Sequence, residues 1–404
     1  MKRLVLAALI LMQTLAKAGP VEGKFIAHEW GTFTAVQGSN GLPMGGMSHE
    51  EETLPSFVVG RDPFVEPRDP NCHSVKGMDL CDGKFLRPGK IPTSDVTQKM
   101  ETPVIYFHSD RERDVQVGVT FPNGIISQYY PAPSYFEPSL GHISALRGGY
   151  ARFNVKLAMG PLPVPDVPVT SVYSPARGVN SNYLMSSSGQ SEKFIFYRGL
   201  GAFTTDVQIE SIGGSLAVRN KGTDTVSAAF LLDVRDEGSG FVVPLGSIAA
   251  GTSKTVLKAD IDRRRQKSLP ADQFLPDVMG QLNQALIASG LYKDEAEAMT
   301  KTWKNSYFRS PGLRVLYVLA RSETDRLLPI QIDPQPQELV RTLVGRIEVL
   351  TDLNEASYLR QVENGTLPLA DLGRFAEPKL RRLQQLTSEP ATLQKIENLI
   401  QQIR

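Results

Sequence analysis

The sequence predicts a β-rich α+β fold, with strands in the N-terminal two-thirds and helices towards the C terminus. Short runs of alternating apolar residues, separated by Gly, Pro and Asn, fill much of residues 103–258. Apolar residues then recur at helical spacing over 273–308 and again after 352. Since 41% of the 404 residues are hydrophobic, the chain can build a large core, and its length suggests two or three domains.

Residues 1–18 have the pattern of a secretory signal peptide. Lys2 and Arg3 precede an apolar run over residues 4–15, and the sequence AKA at 16–18 provides small residues for cleavage. The apolar run is shorter than a transmembrane helix requires, and no later segment is apolar enough to span a bilayer. We therefore expect an exported protein, periplasmic or secreted, with no transmembrane segment after cleavage.

Removal of residues 1–18 changes the charge balance. The chain has 44 basic and 43 acidic residues, and the removed segment contains Lys2, Arg3 and Lys17 but no acid, so the formal net charge falls from +1 to −2. A nearly neutral chain lacks the basic surface that nucleic-acid binding requires. The expected partner is therefore an envelope or extracellular protein or a glycan, and not a nucleic acid.

The segment FIAHEWGTFTAV, residues 25–36, predicts a β-strand. Its aromatic and β-branched residues favour a strand, and Gly31 disfavours a helix interior. Alternation places His28 and Trp30 on one face of the strand and Glu29 on the other. In a regular strand, His28 and Glu29 therefore cannot both serve one site.

Residues 38–92 are rich in Gly and Pro and predict a long loop, which in a compact domain is usually functional or mobile. This loop contains the two cysteines of the chain, Cys72 and Cys81. In an oxidising compartment, two cysteines this close most simply form a local disulfide. The alternative is that Cys72 and the adjacent His73 contribute to a metal site.

Beyond this loop, strands are expected over 103–108, 151–158 and 193–198. A β-hairpin is expected over 114–130, because Asn123-Gly124 is a typical turn sequence between alternating apolar runs. Together with the strand at 25–36 and the long loop, these strands define an N-terminal β-rich domain over 19–200.

Residues 205–258 have the clearest strand pattern, in which Val207 and Ile209 alternate before a Gly-Gly turn. Several short strands at this spacing suggest an immunoglobulin-like sandwich, although the Cys…Trp…Cys spacing of antibody domains is missing. Two apolar stripes at helical spacing follow and predict a helical hairpin over 273–308. We assign both parts to one region over 201–333.

Residues 334–404 are predicted to be mainly helical. An Asp-x-x-Glu capping box begins at Asp352, and Pro378 and Pro390 are placed to open further helices. The apolar segment 339–350 fits either a helix or a strand.

Several phrases of the chain are similar to those of a known group of proteins. HEWGTFT (28–34), METPVIYF (100–107) and EKFIFYRGLG (192–201) resemble a family of exported bacterial proteins of undetermined function. The resemblance covers most of the mature chain and implies a shared fold and export, without an activity. The family pattern has Tyr at the position of His108, which makes His108 a weak candidate for chemistry common to the family.

Histidines and carboxylates in the first third of the mature chain are the candidates for chemistry. Together these residue types suit zinc, manganese or iron. HEWGT and HEEET both begin like the H-E-x-x-H metalloprotease signature, but each has Thr in place of the second His. The candidate metal ligands are His28, His49 and His142, for a divalent metal such as zinc, and Glu29 is the candidate general base.

Two functions are compatible with these features. The first is a non-catalytic binding or scaffold protein of the cell envelope or the extracellular space. The alternative is a metal-dependent hydrolase with a His/Glu site in the N-terminal third. No nucleophile-elbow, phosphate-loop or dinucleotide motif occurs in the sequence, so other enzyme classes have less support.

We expect the mature protein to begin at Gly19, because the small-residue cleavage sequence ends at residue 18. Intact-mass measurement of the exported protein checks this expectation. A measured mass that still includes residues 1–18 contradicts it.

Overall fold

The computed structural model describes residues 23–47, 53–60, 72–75, 78–81, 84–86, 93–138 and 145–403. For residues 72–75, 78–81, 84–86 and 93 it describes the backbone only. The expected signal peptide and the candidate metal ligands His49 and His142 lie outside the described residues. The fold is β-rich α+β, as the sequence predicts, with several sheets and several helices.

The strands are β1 (Phe25–Gln37), β2 (Val59–Gly60), β3 (Cys72–Val75), β4 (Met78–Cys81), β5 (Lys84–Leu86), β6 (Gln98–Ser109), β7 (Arg113–Phe121), β8 (Gly124–Tyr130), β9 (Tyr135–Glu137), β10 (Gly149–Ala158), β11 (Tyr183–Ser186), β12 (Ser191–Glu192), β13 (Ile195–Gly201), β14 (Val207–Ile212), β15 (Ser215–Asn220), β16 (Val226–Val234), β17 (Gly240–Ile248), β18 (Ser253–Val256), β19 (Gly312–Val318), β20 (Ile330–Asp333) and β21 (Glu338–Val349). The α-helices are α1 (Lys258–Arg265), α2 (Ala271–Ala288), α3 (Lys293–Thr302), α4 (Arg321–Leu327), α5 (Asp352–Asn364), α6 (Leu369–Leu372), α7 (Ala376–Gln384) and α8 (Pro390–Gln402).

The centre of the molecule is a nine-stranded sheet with the strand order β17-β16-β19-β21-β1-β6-β13-β8-β2. β1 confirms the strand predicted at 25–36, and all of its residues except Ile26 are buried. It pairs in parallel with β21 and antiparallel with β6. The segment left open between helix and strand, 339–350, is therefore mostly strand β21.

The nine-stranded sheet separates two hydrophobic cores. On one face, Phe25 and Ala27 of β1 pack with residues of the other sheets, including Val117 of β7. On the opposite face, Trp30 of β1 packs with residues of α2 and α3, including Met299. The predicted alternation along β1 is thus confirmed, because successive side chains enter different cores.

A β-bulge interrupts the pairing of β1 with β6. The register shifts between Trp30 and Thr32, so that Thr102 and Pro103 stand opposite Gly31. A Cβ atom at Gly31 would lie 2.9 Å from the Cα atom of Pro103, which only glycine tolerates. Thr102 adopts a φ of 62° although it is β-branched and precedes a proline, so the bulge carries real backbone strain.

The hairpin predicted over 114–130 is wrong. β7 and β8 do follow each other, but β7 pairs with β10 and β20 while β8 pairs with β13 and β2. The reason is that Ile125 and Ile126 of β8 are both fully buried, in different cores. A strand buried on both faces must lie inside a sheet that is covered on both sides.

The strands of the predicted immunoglobulin-like region are distributed over three sheets. β14, β15 and β18 form a three-stranded sheet, β16, β17 and β19 extend the nine-stranded sheet, and β20 pairs with β7. The sandwich-like packing therefore forms between sheets that combine strands from before and after residue 200. β16 requires this placement because Leu231 and Leu232 are both fully buried, in opposite cores.

The predicted helices are confirmed, but the predicted capping box at Asp352 is wrong, because Thr351 is the N-cap of α5 and its hydroxyl accepts the backbone N–H of Asn354. α2 and α3 form the hairpin expected over 273–308. The helices that follow β21 enclose a small core of their own, in which Val362, Leu380 and Ile396 are buried. Within the described part of the chain, no helix has the length and apolar character that a membrane span requires.

The cysteine strands β3 and β4 pair antiparallel, with Cys72 directly opposite Cys81. This register brings the two backbones as close as a disulfide requires. The side chains lie outside the described residues, so the disulfide stays a prediction.

Glu323 of α4 is a buried carboxyl group outside the His28 face of β1. It is 1% exposed, and its Oε1 accepts a hydrogen bond from the backbone N–H of Asp206 at 2.6 Å. Burial raises the pKa of Glu323 to about 7, since Arg326 compensates the lost hydration only in part. The folded state therefore binds a proton that the unfolded chain, with an ordinary pKa of 4.5, releases at lower pH.

We expect the stability of the protein to fall as the pH rises from about 4.5 through about 7 because of Glu323. Glu323→Gln stays neutral and removes this contribution, which amounts to about 3 kcal/mol at most. The difference in thermal unfolding midpoint, variant minus wild type, should therefore increase as the pH is raised from about 5 to about 8. A constant difference across this range would contradict the assignment to Glu323.

Candidate metal centre

Three side chains from distant parts of the chain meet on the helix-facing side of the central sheet. They are His28 of β1, His108 of β6 and Glu295 of α3. His28 Nδ1 lies 2.7 Å from Glu295 Oε2, and His108 Nε2 lies 3.1 Å from Glu295 Oε1. One potential ligand atom from each residue lies within 4.8 Å of the others, and all three residues are buried.

The strand register brings the two histidines together. His28 stands opposite Tyr106, and His108 stands opposite Ile26, so the histidines are diagonal neighbours on one face of the β1–β6 pair. Their imidazole ring centroids are 5.1 Å apart. The sequence spacing of 80 positions hides this arrangement, because only the register determines which residues of two strands are neighbours.

Glu295 is placed by the N terminus of α3. It occupies the third position of the helix, and its Oε2 also accepts the backbone N–H of Tyr292, the N-cap residue, at 2.8 Å. This is half of a capping box, an arrangement that fixes the start of a helix. The carboxylate that begins α3 is thus also the one that faces the two histidines.

The surroundings of Glu295 keep its carboxyl ionised. Burial raises the pKa of Glu295, but hydrogen bonds from His108 and His28 and from the backbone of Tyr292 outweigh that effect, so the pKa lies below its ordinary value. A buried carboxylate between two imidazoles is a strong site for a proton or a cation, since an unpaired charge in this position would be costly.

The three donor groups have nearly the spacing of metal ligands. Atoms bound to zinc at the usual bond lengths in a tetrahedron are about 3.4 Å apart. The two nitrogen–oxygen distances at Glu295, 2.7 and 3.1 Å, are shorter by a few tenths of an ångström. The three donor groups are thus close to the spacing of zinc ligands, and one potential ligand atom from each lies within 4.8 Å of the others.

The second ring nitrogen of His28, Nε2, is buried without a hydrogen-bond partner among the described residues. The residue as a whole is 1% exposed. Buried polar atoms almost always have a partner, so each exception requires an explanation. A water molecule beside Nε2 is the simplest one, because Nδ1, and not Nε2, is the ring nitrogen that faces Glu295.

An aromatic ring and a surface cleft border the cluster. The ring of Tyr292 packs against both imidazoles, with centroid distances of 4.5 Å to His28 and 4.8 Å to His108. Tyr292 is 38% exposed, so it covers the histidines on its side. Elsewhere, His108 lines a polar cleft of about 340 Å³ that also contacts Asn182.

Glu29 lies on the opposite face of the sheet from this cluster. It is fully buried, Arg341 Nε donates to its Oε2 at 2.5 Å, and the Tyr197 hydroxyl donates to its Oε1. Arg341 also donates to Asp325 and to the carbonyl oxygen of Leu328. Glu29 therefore holds β1, β13 and β21 together, and the structure does not bring it to His28 as a general base.

The structure thus joins one residue of the predicted site to two that the sequence did not select. His28 is in the cluster, whereas His49 and His142 lie outside the described residues. His108 was rated a weak candidate, although strand alternation after PVIYF could have placed it on the face of Tyr106. In the sequence, the position of Glu295 near the start of a predicted helix indicates a helix-capping residue and does not indicate a metal ligand.

Comparison with known protein families and with curated protein sequences gives no match. The resemblance to exported bacterial proteins therefore stays a prediction, and function has to be argued from the geometry of the cluster.

We expect Glu29→Ala to destabilise the fold by about 3 kcal/mol, because it leaves the buried Arg341 guanidinium without its closest carboxylate. Chemical denaturation measures the loss. Glu338→Ala, a change at an exposed glutamate of the same strand pair, should alter the unfolding free energy by less than about 0.5 kcal/mol. Equal effects of both changes would contradict a structural role of the Glu29–Arg341 pair.

Proposed function

We propose that this protein is an exported metalloprotein with a hydrolase-type zinc centre formed by His28, His108 and Glu295. The convergence of these three buried side chains within 4.8 Å of one another is the observation that carries the proposal. The export signal predicted over residues 1–18 supports the location, and the polar cleft at His108 supports a site that a ligand reaches.

The donor set favours a catalytic centre over a structural one. Structural zinc sites have four protein ligands, whereas catalytic sites have three, with two histidines and one glutamate as an established combination, and keep one position open. The described residues offer three ligands at this cluster. The described residues thus leave a fourth position to water or to a ligand.

The surroundings suit the same chemistry. A zinc ion held by His28, His108 and Glu295 would lower the pKa of a bound water towards neutrality and would polarise a carbonyl or phosphoryl oxygen. The buried carboxylate of Glu295 balances part of the metal charge, and its hydrogen bond to the backbone of Tyr292 holds it in one orientation. Outer hydrogen bonds of this kind fix the ligands of metal sites.

Glu29 is not part of this proposal, because it lies on the other face of the sheet. The non-catalytic binding or scaffold protein, the first function favoured by the sequence, needs neither an open coordination position nor a cleft beside it. The cluster supports the hydrolase alternative for that reason, and metal analysis separates the two.

We expect the purified protein to retain about one zinc ion per chain after a challenge with a chelator, as measured by elemental analysis. His28→Ala, His108→Ala and Glu295→Gln should each weaken zinc binding by at least ~100-fold, because loss of an outer hydrogen bond alone costs about 10–100-fold. In the metal-free protein, His28→Ala should cost less free energy of unfolding than the free energy of zinc binding that it removes.

Glu297→Gln is the matched control for Glu295→Gln. Glu297 lies on the same helix, two positions further on, and pairs with Lys301 at the surface. Its substitution should leave zinc binding unchanged. Equal zinc affinity in all variants contradicts the proposal, and so does stoichiometric iron in place of zinc, since two histidines and a carboxylate also bind iron in oxygen-activating enzymes.

A further inference from the structure

The cleft beside His108 lies at the ends of several strands. Lys24 precedes β1, Asp110 follows β6 and Ala158 ends β10, and the cleft is completed by Asn180 and by Tyr183, the first residue of β11. Its volume of about 340 Å³ falls at the lower end of the range for small-molecule sites. The cleft is thus large enough for a compact ligand and too small for a folded partner.

His108 connects this cleft to the metal cluster. It belongs to the lining of the cleft and also contacts Glu295 at 3.1 Å. His28 and Glu295 are at most 1% exposed, whereas His108 is 8% exposed. Among the described residues, His108 is therefore the member of the cluster that a ligand in the cleft can touch.

The other approach to the cluster is covered. The Tyr292 ring packs against both imidazoles, and the backbone N–H of Tyr292 donates a hydrogen bond to Glu295. A ligand approaching from this side would have to displace the ring and break the start of α3. The cleft requires no such rearrangement.

We infer that the cleft is the substrate-binding subsite of the metal centre and takes a small, polar, nearly uncharged carbonyl compound. The inference rests on the proposed zinc centre and specifies its ligand. It assigns the open coordination position to a carbonyl oxygen that reaches the metal past His108, while the rest of the ligand lies among the polar groups of the cleft.

The side chains of the cleft carry the argument for a polar ligand. Eight of the twelve lining residues have hydrogen-bonding side chains, so an acyl chain would desolvate polar groups without replacing their bonds. The exposed Met159 is the largest apolar group there.

The charges of the cleft argue for a ligand of low net charge. Lys24 and Asp110 have opposite signs and lie at the same end of the cleft. The backbone N–H of Asp110 donates to the carbonyl oxygen of Lys24 at 3.3 Å, so the two residues are neighbours in the cleft. The two charges largely balance, so neither an anion nor a cation is favoured.

Gly160 offers a way to fill the cleft without disturbing the fold. It lines the cleft, no heavy atom lies within 4 Å of the position that a Cβ atom would take, and its backbone is outside the left-handed region. Gly280, on the exposed surface of α2, has the same open surroundings and lies away from the cleft. Gly160→Trp and Gly280→Trp are therefore a matched pair.

The experiment uses the protein loaded with Co²⁺, whose visible absorption reports the coordination of the metal. The probe is acetohydroxamate, supplied as acetohydroxamic acid, a small metal-binding carbonyl compound that is mainly uncharged in neutral solution and binds metals as the hydroxamate. Octanohydroxamate is its counterpart with a long acyl chain. We expect acetohydroxamate to change the spectrum in a saturable manner and to bind Gly160→Trp at least ~10-fold more weakly, which corresponds to about 1.4 kcal/mol. Gly280→Trp should bind it like the wild type.

The outcomes separate this inference from the proposed function. If the wild type binds no Co²⁺ or Zn²⁺, the proposed function fails. If metal binds but acetohydroxamate leaves the spectrum unchanged, or if Gly160→Trp binds the probe like the wild type, the cleft is not the subsite, while the metal centre stands. Tighter binding of octanohydroxamate by the wild type would overturn the polar ligand class.

Discussion

The burial of β1 on both faces is the constraint on which the rest of the structure depends. This strand lies in the middle of the nine-stranded sheet and carries His28, Glu29, Thr32 and Thr34, none of which is more than 1% exposed. A buried polar or charged group without a partner costs several kcal/mol, a large fraction of the net stability of a domain. Each face of the sheet must therefore provide partners for this strand, and those partners determine what packs there.

The partners tie together the two ends of the described chain. On one face, Glu29 binds Arg341 of the parallel neighbour β21 across 312 positions of sequence. On the other face, His28 binds Glu295 at the start of α3, and Thr34 donates to Glu101, which also accepts the hydroxyl of Tyr307 beyond the same helix. The helical hairpin is therefore held against the sheet by polar contacts at both ends, with the apolar residues of α2 and α3 between them. The candidate metal centre is a consequence of this arrangement, since the contact that secures α3 also belongs to the cluster of potential ligands.

Local patterns predicted most of the elements, and long-range burial decided how they pair. The alternation at 25–36 and the helical stripes of α2 and α3 depend on contacts within a few residues, so the sequence shows them directly. The prediction of a hairpin over 114–130 was wrong because a turn sequence expresses only a local preference. Ile125 and Ile126 are both buried, on opposite faces of β8, and this burial places β8 inside the large sheet. The same reason distributed the strands after residue 200 over three sheets.

By itself the sequence determined the strand character of residues 25–36 and, through the two-residue period, that His28 and Glu29 face opposite sides. It also determined a β-rich chain with a helical C-terminal part. Only the tertiary structure decided that His28 meets His108 and Glu295, which are 80 and 267 positions away. The physical reason is that a side-chain cluster depends on the register between strands and on the packing of a helix across them. Register and packing both depend on how much apolar surface the whole sheet buries. A local pattern of residues contains no information on that total.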